Sequence, residues 1–196
     1  MDQKEKIILS ALALADQLGW ERVTLSDIAD DAKVDLATLY DLFECKTDIL
    51  VGFGRMIDRQ ILGEVSLEKC EQRQGVASPQ DSTHRDLLFD LLMDRFEALN
   101  GHRAGVVAVL ESFKLDPKQA VIGLPHLCRS MTWMLEACGI STSGIKGALR
   151  VSGLVLLYLK AAKVWVKDES ADLAKVMAAL DKDLARVHGW AETLGL

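Results

Sequence analysis

The stretch VTLSDIADDAKVDLATLYDLFECK, residues 23–46, constrains the fold more than any other. It carries two helix-start signals separated by a short turn. Thr24 precedes LSDIADDA with Asp27 three residues on, which reads as a capping box with Asp in place of Glu and predicts a helix over Leu25–Ala32. Lys33-Val34 reads as a tight turn, and Asp35 as the cap of a second helix from Leu36 to about Phe43. Ahead of both, Ile7, Ile8, Ala11, Leu12, Leu14, Ala15 and Leu18 recur at three- and four-residue steps. They predict a helix from about Lys4 to Leu18, stopped by Gly19. A helix followed by two short helices across a tight turn is the layout of a helix-turn-helix unit, with Ile28, Ala29, Val34, Leu39 and Phe43 as its small core.

The remainder continues in helical periods. A fourth helix starts near Lys46-Thr47 and runs into the Glu64–Glu71 region, and QRQGVASPQDST, 72–83, reads as a polar linker. HRDLLFDLLMDRFEAL follows, with Leu87, Leu88, Leu91, Leu92, Phe96 and Leu99 on one face and Asn100-Gly101 ending it. Further helices are predicted at about 103–113, at about 126–138 up to Gly139, and at about 143–167 and 170–194, with a turn at Asp116-Pro117. With no strand alternation and prolines only at 79, 117 and 125, the chain reads as all-α: an N-terminal helix-turn-helix domain, 1–50, and a larger helical domain, 51–196. Between Leu149 and Val166, Val151 and Leu154 through Leu159 leave apolar side chains on more than one side of the helix. Such a helix is buried from two directions, by its own core and a two-fold partner or wholly within one chain.

Composition narrows the function. The most apolar run, GLVLLYLKAAKVWV at 153–166, is interrupted by Lys160 and Lys163 and falls short of the roughly 18 residues of a membrane span, so no integral membrane segment is expected. The N-terminus lacks the apolar core and cleavage site of a signal peptide. Cys45, Cys70, Cys128 and Cys138 form no CxxC pair, and His84, His102, His126 and His188 share no ligand spacing. A reduced, cytoplasmic protein without a metal or other cofactor is expected. No nucleophile–base pair, Gly-rich phosphate loop or paired carboxylates stand in a recognisable frame, so no catalytic residues and no enzyme are expected. Charge is uneven: residues 1–50 hold five Lys/Arg against eleven Asp/Glu, which accounts for the whole net charge of −6.

Residues Ile7 to Leu50 resemble the N-terminal domain of TetR/AcrR-family transcriptional regulators. The resemblance is carried by the amphipathic helix ending in LG at 18–19, VTLSDIADDA at 23–32, TLYDLF at 38–43 behind Val34, and Lys46. It implies a ligand-responsive regulator, most often a repressor, that binds operator DNA as a homodimer formed through the last two helices. By the same resemblance Thr24 caps the second helix and touches a phosphate, Thr38 and Tyr40 donate hydroxyls to phosphates, and Lys46 adds charge there. Leu36, Ala37 and Asp41 would face base edges. The chain departs from the family at Lys33, where Gly is usual, at the Asp35 cap, where Ser is frequent, and at Asp41, where basic, aromatic or amide side chains are common. An Asp in the major groove accepts from cytosine N4 and repels phosphates. Weak affinity or a strict dimeric operator is therefore expected.

RDLLFDLLMDRFEALNGHRAGV, 85–106, and DESADLAKVMAALDKDLARV, 168–187, also resemble TetR-fold lipid-binding accessory proteins of ubiquinone biosynthesis, which implies an alternative: an isoprenoid- or lipid-holding protein without DNA binding. On either reading an apolar small molecule or lipid is the expected ligand. Candidate lining residues are Phe89, Met93, Phe96, Leu110, Phe113, Leu127, Met131, Met134, Tyr158 and Trp165, with Cys128, Trp133 and Cys138 nearby. Met and aromatic side chains suit a deformable apolar pocket, and they suit an ordinary core equally.

Overall fold

The computed structural model describes residues 2–64, 80–113 and 117–194. They form α1 (Gln3–Leu18), α2 (Leu25–Ala32), α3 (Leu36–Leu42), α4 (Lys46–Glu64), α5 (Gln80–Asn100), α6 (Arg103–Ser112), α7 (Pro117–Ala137), α8 (Gly144–Trp165) and α9 (Ala174–Leu194). No strand occurs among the described residues. The tail of the fourth predicted helix beyond Glu64, most of the predicted linker, Cys70 and Asp116 lie outside them.

Two compact units are present, Met1–Asp58 with Ala98–Leu127, and Arg59–Glu97 with Cys128–Leu196. In the first, α1 packs on α2 and α6, and α2 on α3. Ile7, Ala11 and Ala15 of α1, Ile28 and Ala32 of α2 and Leu39 of α3 are fully or almost fully buried. Phe43, Trp20 and Val23 complete this core, while Val34 is only half-buried. α6 crosses α1 closely at Gly105, where a side-chain Cβ would stand 2.4 Å from the carbonyl oxygen of Leu12. Only hydrogen fits in that gap.

The second unit is built on α8 and α9. Leu154, Leu157, Tyr158, Ala161 and Trp165 of α8 are buried, as are Val176, Leu180 and Leu184 of α9. Lys160 Nζ donates to Asp183 Oδ1 at 2.6 Å, joining the two helices. Arg85 of α5 reaches Asp181 of α9 at 2.5 Å. The turn between α8 and α9 is organised by Asp168, a carboxylate that is 1% exposed. It accepts from the Ser170 hydroxyl and amide, and from the amides of Lys175 and Val176 in the first turn of α9. Two of that helix's unpaired N–H groups thereby gain a partner. The Ser170 hydroxyl, then the three amides, hold the Asp168 carboxyl below its usual range against burial.

The structure departs from the expected boundaries in three places, one of them the start of α9, expected at about residue 170 and observed at Ala174. Gln80–Thr83, expected in the linker, are the first turn of α5. The helix expected from residue 126 begins at Pro117 and carries Pro125 inside it. Pro125 has no N–H to give the carbonyl of Val121, but Val121 is 69% exposed, so water can take that bond.

Candidate nucleic-acid interface

The helix-turn-helix is set by its caps. The Thr24 hydroxyl accepts from the Asp27 amide at 3.1 Å, and Asp27 Oδ2 accepts from the Thr24 amide at 2.9 Å, closing the reciprocal box. The Thr24 hydroxyl also donates to Asp27 Oδ2 at 2.6 Å, and these bonds, hydroxyl first, hold the Asp27 carboxyl below its ordinary value. α2 ends on Lys33 in the left-handed region, φ 55° and ψ 46°. The amide of Val34 returns to Ala29 O at 3.0 Å, closing the turn. Asp35 then caps α3, its Oδ1 accepting from the Thr38 amide at 2.6 Å. The Thr38 amide, and its hydroxyl second, keep the Asp35 carboxyl low.

These caps fix which side of α3 faces out. Leu39 is buried, whereas Leu36 and Tyr40 are 55% and 71% exposed and Ala37 and Asp41 are exposed beside them. The four fall in two adjacent rows, one helical turn apart. Tyr40 does not pack beneath the three-helix unit. Thr24 is exposed at the start of α2, and Thr38 is half-buried against its cap. Asp30, Asp31 and Glu44 are also exposed, as is Lys33 in the turn.

Lys46 is placed differently from its neighbours. Its Nζ donates to the carbonyls of Trp20 at 2.5 Å and Val23 at 2.7 Å, and lies 4.5 Å from the centroid of the Trp20 ring. Burial lowers the Lys46 pKa from its ordinary 10.5, opposed by the nearby Glu21 carboxylate. Sequence reasoning misses both Trp20 as a core residue and the carbonyls that its connection presents. The available signal is an aromatic directly behind the helix-stopping Gly19.

The ten candidate ligand residues divide between the two units. Leu110, Phe113 and Leu127 belong to the first and are half-buried. Phe89, Met93, Phe96, Met131, Met134, Tyr158 and Trp165 belong to the second, where all but the half-buried Phe89 are core. Phe96 stacks on Tyr158 at 5.2 Å and tilts against Trp165 at 6.4 Å. A guanidinium enters this apolar group: Arg95 is 5% exposed, and its Nε donates to the Tyr158 hydroxyl at 3.1 Å. Trp133 is 60% exposed and faces away from the core. Among the described residues no cluster of His, Cys, Asp and Glu could hold a metal ion, and no helix is long and apolar enough to cross a membrane.

A capped helix-turn-helix with an outward α3, joined to a larger helical unit, defines the class: an all-α protein of helix-turn-helix type. Residues 7–52 match the model of the bacterial regulatory proteins, tetR family. No curated protein matches the chain by sequence. Among solved structures it is similar to a TetR transcriptional regulator from Nitrosomonas europaea ATCC 19718, at 22% identity and a TM-score of 0.71, over 97% of this chain and 99% of that one. It is also similar to Thermus thermophilus FadR, a TetR-family transcriptional repressor in complex with lauroyl-CoA. There the identity is 17% and the TM-score 0.59, over 93% and 91% of the two chains. A third is the transcriptional regulator FadR from Bacillus subtilis in complex with stearoyl-CoA, at 20% and 0.51, over 92% and 97%. The chain has the fold of TetR-family transcriptional regulators, and its match to the tetR-family model spans residues 7–52.

Proposed function

We propose that this chain is a ligand-responsive transcriptional regulator of TetR type, a repressor that binds operator DNA as a homodimer and performs no catalysis. The observation that carries the reading is the doubly capped α2–α3 pair, which turns Leu36, Ala37, Tyr40 and Asp41 outward from a domain of the tetR family. Leu36 and Ala37 have the apolar surface that meets thymine methyls, Asp41 can accept from cytosine N4, and the Tyr40 hydroxyl can donate to a phosphate. Thr24 and Thr38 add hydroxyls at the starts of α2 and α3.

Dimerisation is assigned to α8 and α9. Ile145, Leu149, Leu156 and Leu159 are 83%, 55%, 69% and 39% exposed and follow one another at helical spacing along α8. This stripe lies opposite the buried residues of the same helix, so a second copy is the occupant that a two-sided apolar helix calls for. Met177 of α9 is likewise 44% exposed.

The ligand is assigned to the apolar group of the second unit, and its class to long-chain acyl thioesters or lipids of similar shape. The lauroyl-CoA and stearoyl-CoA complexes of the two FadR proteins support that class. Ligand would act by favouring a dimer arrangement whose two α3 helices no longer match the operator half-sites. The test is binding of duplexes from the gene's own upstream region at low salt, with and without a long-chain acyl thioester. Binding that the thioester releases supports the whole reading. Binding that it leaves unchanged removes the ligand class, and no binding by the dimer at low salt removes the regulator.

A further inference from the structure

Lys46 has the position that the family resemblance gives to a phosphate-contacting lysine, but its ammonium is turned inward. Two of its three donors are committed, to Trp20 O at 2.5 Å and Val23 O at 2.7 Å. Both carbonyls belong to the connection between α1 and α2, a segment whose side chains Trp20 and Val23 are 3% and 2% exposed. The charge sits 4.5 Å from the face of the Trp20 ring, so the contact is also a cation–π one. An ammonium extended fully toward a phosphate would leave both carbonyls and the ring, and two part-buried acceptors would lose their donor. Glu21, whose field raises the affinity of Lys46 for its proton, stands on the same connection.

We propose that Lys46 is a positioning residue: it clamps the α1–α2 connection to the first residue of α4, and through Thr24 at the end of that connection sets the direction in which α2 and α3 are presented to DNA. The clamp closes a loop in the chain, from Trp20 and Val23 through both reading helices to Lys46. Nothing of the counterion-release affinity comes from this lysine. The role deepens the DNA-binding reading and rests on it, but the clamp itself is a property of the free protein.

The experiment compares the full-length wild type with Lys46→Met, which keeps the stem over Trp20 and removes the charge and donors. Two readouts are taken. The first is nuclear magnetic resonance of the free protein, at the Trp20 indole and at the amides of Glu21 and Thr24, which follow the two carbonyls. The second is the salt dependence of binding to a mixed-sequence DNA duplex. A clamp predicts shifts at all three resonances and weaker binding, with the slope of log K against log salt unchanged. A lysine that neutralises a phosphate instead predicts a smaller slope in the variant, by about 0.9 for each protomer and so about 1.8 for the dimer. A reduced slope, or resonances that stay in place, overturns the proposal. Should Lys46→Met not fold, the wild type decides: scalar coupling from Lys46 15Nζ to the carbonyl carbons of Trp20 and Val23 is present for a clamp, and its absence overturns it. Should the wild type bind no duplex, the regulator reading fails alone and the resonance readout still decides the clamp.

Discussion

Replacing Gly105 by Ala tests the packing that holds the helix-turn-helix on α6. In an exposed helix this change stabilises by about 0.8–1.0 kcal/mol, because Gly is the poorer helix former. Here the new methyl would stand 2.4 Å from Leu12 O and 2.9 Å from Leu12 C, both backbone atoms of α1 that cannot rotate away. Carbon and oxygen need close to an ångström more, so α6 and α1 must separate where they cross. Overpacking of this kind typically costs about 1–3 kcal/mol. Set against the propensity gain, the net is a loss of up to about 2 kcal/mol, or up to roughly 8 °C in melting temperature for a chain of this size. The control is Gly54→Ala on α4, where a Cβ meets nothing within 4 Å and stability should rise by up to about 1 kcal/mol. Thermal melts followed by far-ultraviolet circular dichroism read both. A Gly105→Ala protein stabilised as much as the Gly54→Ala control would refute the close α1–α6 crossing.

Three further outcomes follow from the same geometry. Thr24→Ala opens the capping box and should cost about 1 kcal/mol, with faster hydrogen exchange at the Asp27 amide; unchanged exchange there would count against the cap. Asp27, Asp35 and Asp168 all have carboxyl pKa values lowered below their ordinary 3.8 by hydrogen bonds, so the folded state is favoured while they are ionised; that contribution is complete above about pH 4 and is lost as pH falls through the depressed values. Urea midpoints should therefore fall on acidification below about pH 4, and less steeply in Asp168→Asn; a midpoint flat in acid would contradict the sign. Leu156→Asp, on the exposed stripe of α8, should leave the helical signal intact and convert the dimer to monomer in sedimentation velocity, and a dimer that persists would move the interface elsewhere.

The legibility of the sequence follows the range of the interactions involved. α1, α2 and α3 are predicted to within a residue or so because Thr24, Asp27, Asp35 and Gly19 act on backbone groups a few positions away. Gln80–Thr83 escape because polar residues with an acid near the front suit a linker and a first helical turn equally well. Pro125 reads as a boundary, yet a helix supported along its length can carry a proline where the freed carbonyl meets water. The outward face of α3 is legible from its period. The direction of Lys46 is not, because a motif transmits residue type and position, while the side chain's path depends on carbonyls more than twenty residues earlier. Asp168 is hidden for a similar reason: its burial makes sense only once the amides of Lys175 and Val176 are turned back toward it.

Residues 1–50 carry five basic against eleven acidic side chains, a reading head that must bind DNA against its own charge. Each unit charge about 5 Å from a phosphate opposes binding by about 1 kcal/mol even in bulk water. Fluorescence anisotropy of a labelled upstream duplex, titrated with the wild type, Tyr40→Phe and Asp41→Asn at graded salt, measures this most directly. The account predicts salt-sensitive binding by the dimer, weakened by Tyr40→Phe. It also predicts that Asp41→Asn strengthens binding to mixed-sequence duplex by roughly fivefold for each protomer, about 25-fold for the dimer, the equivalent of one such repulsion at each α3. Absence of binding at low salt, in the wild type and in Asp41→Asn alike, would contradict it.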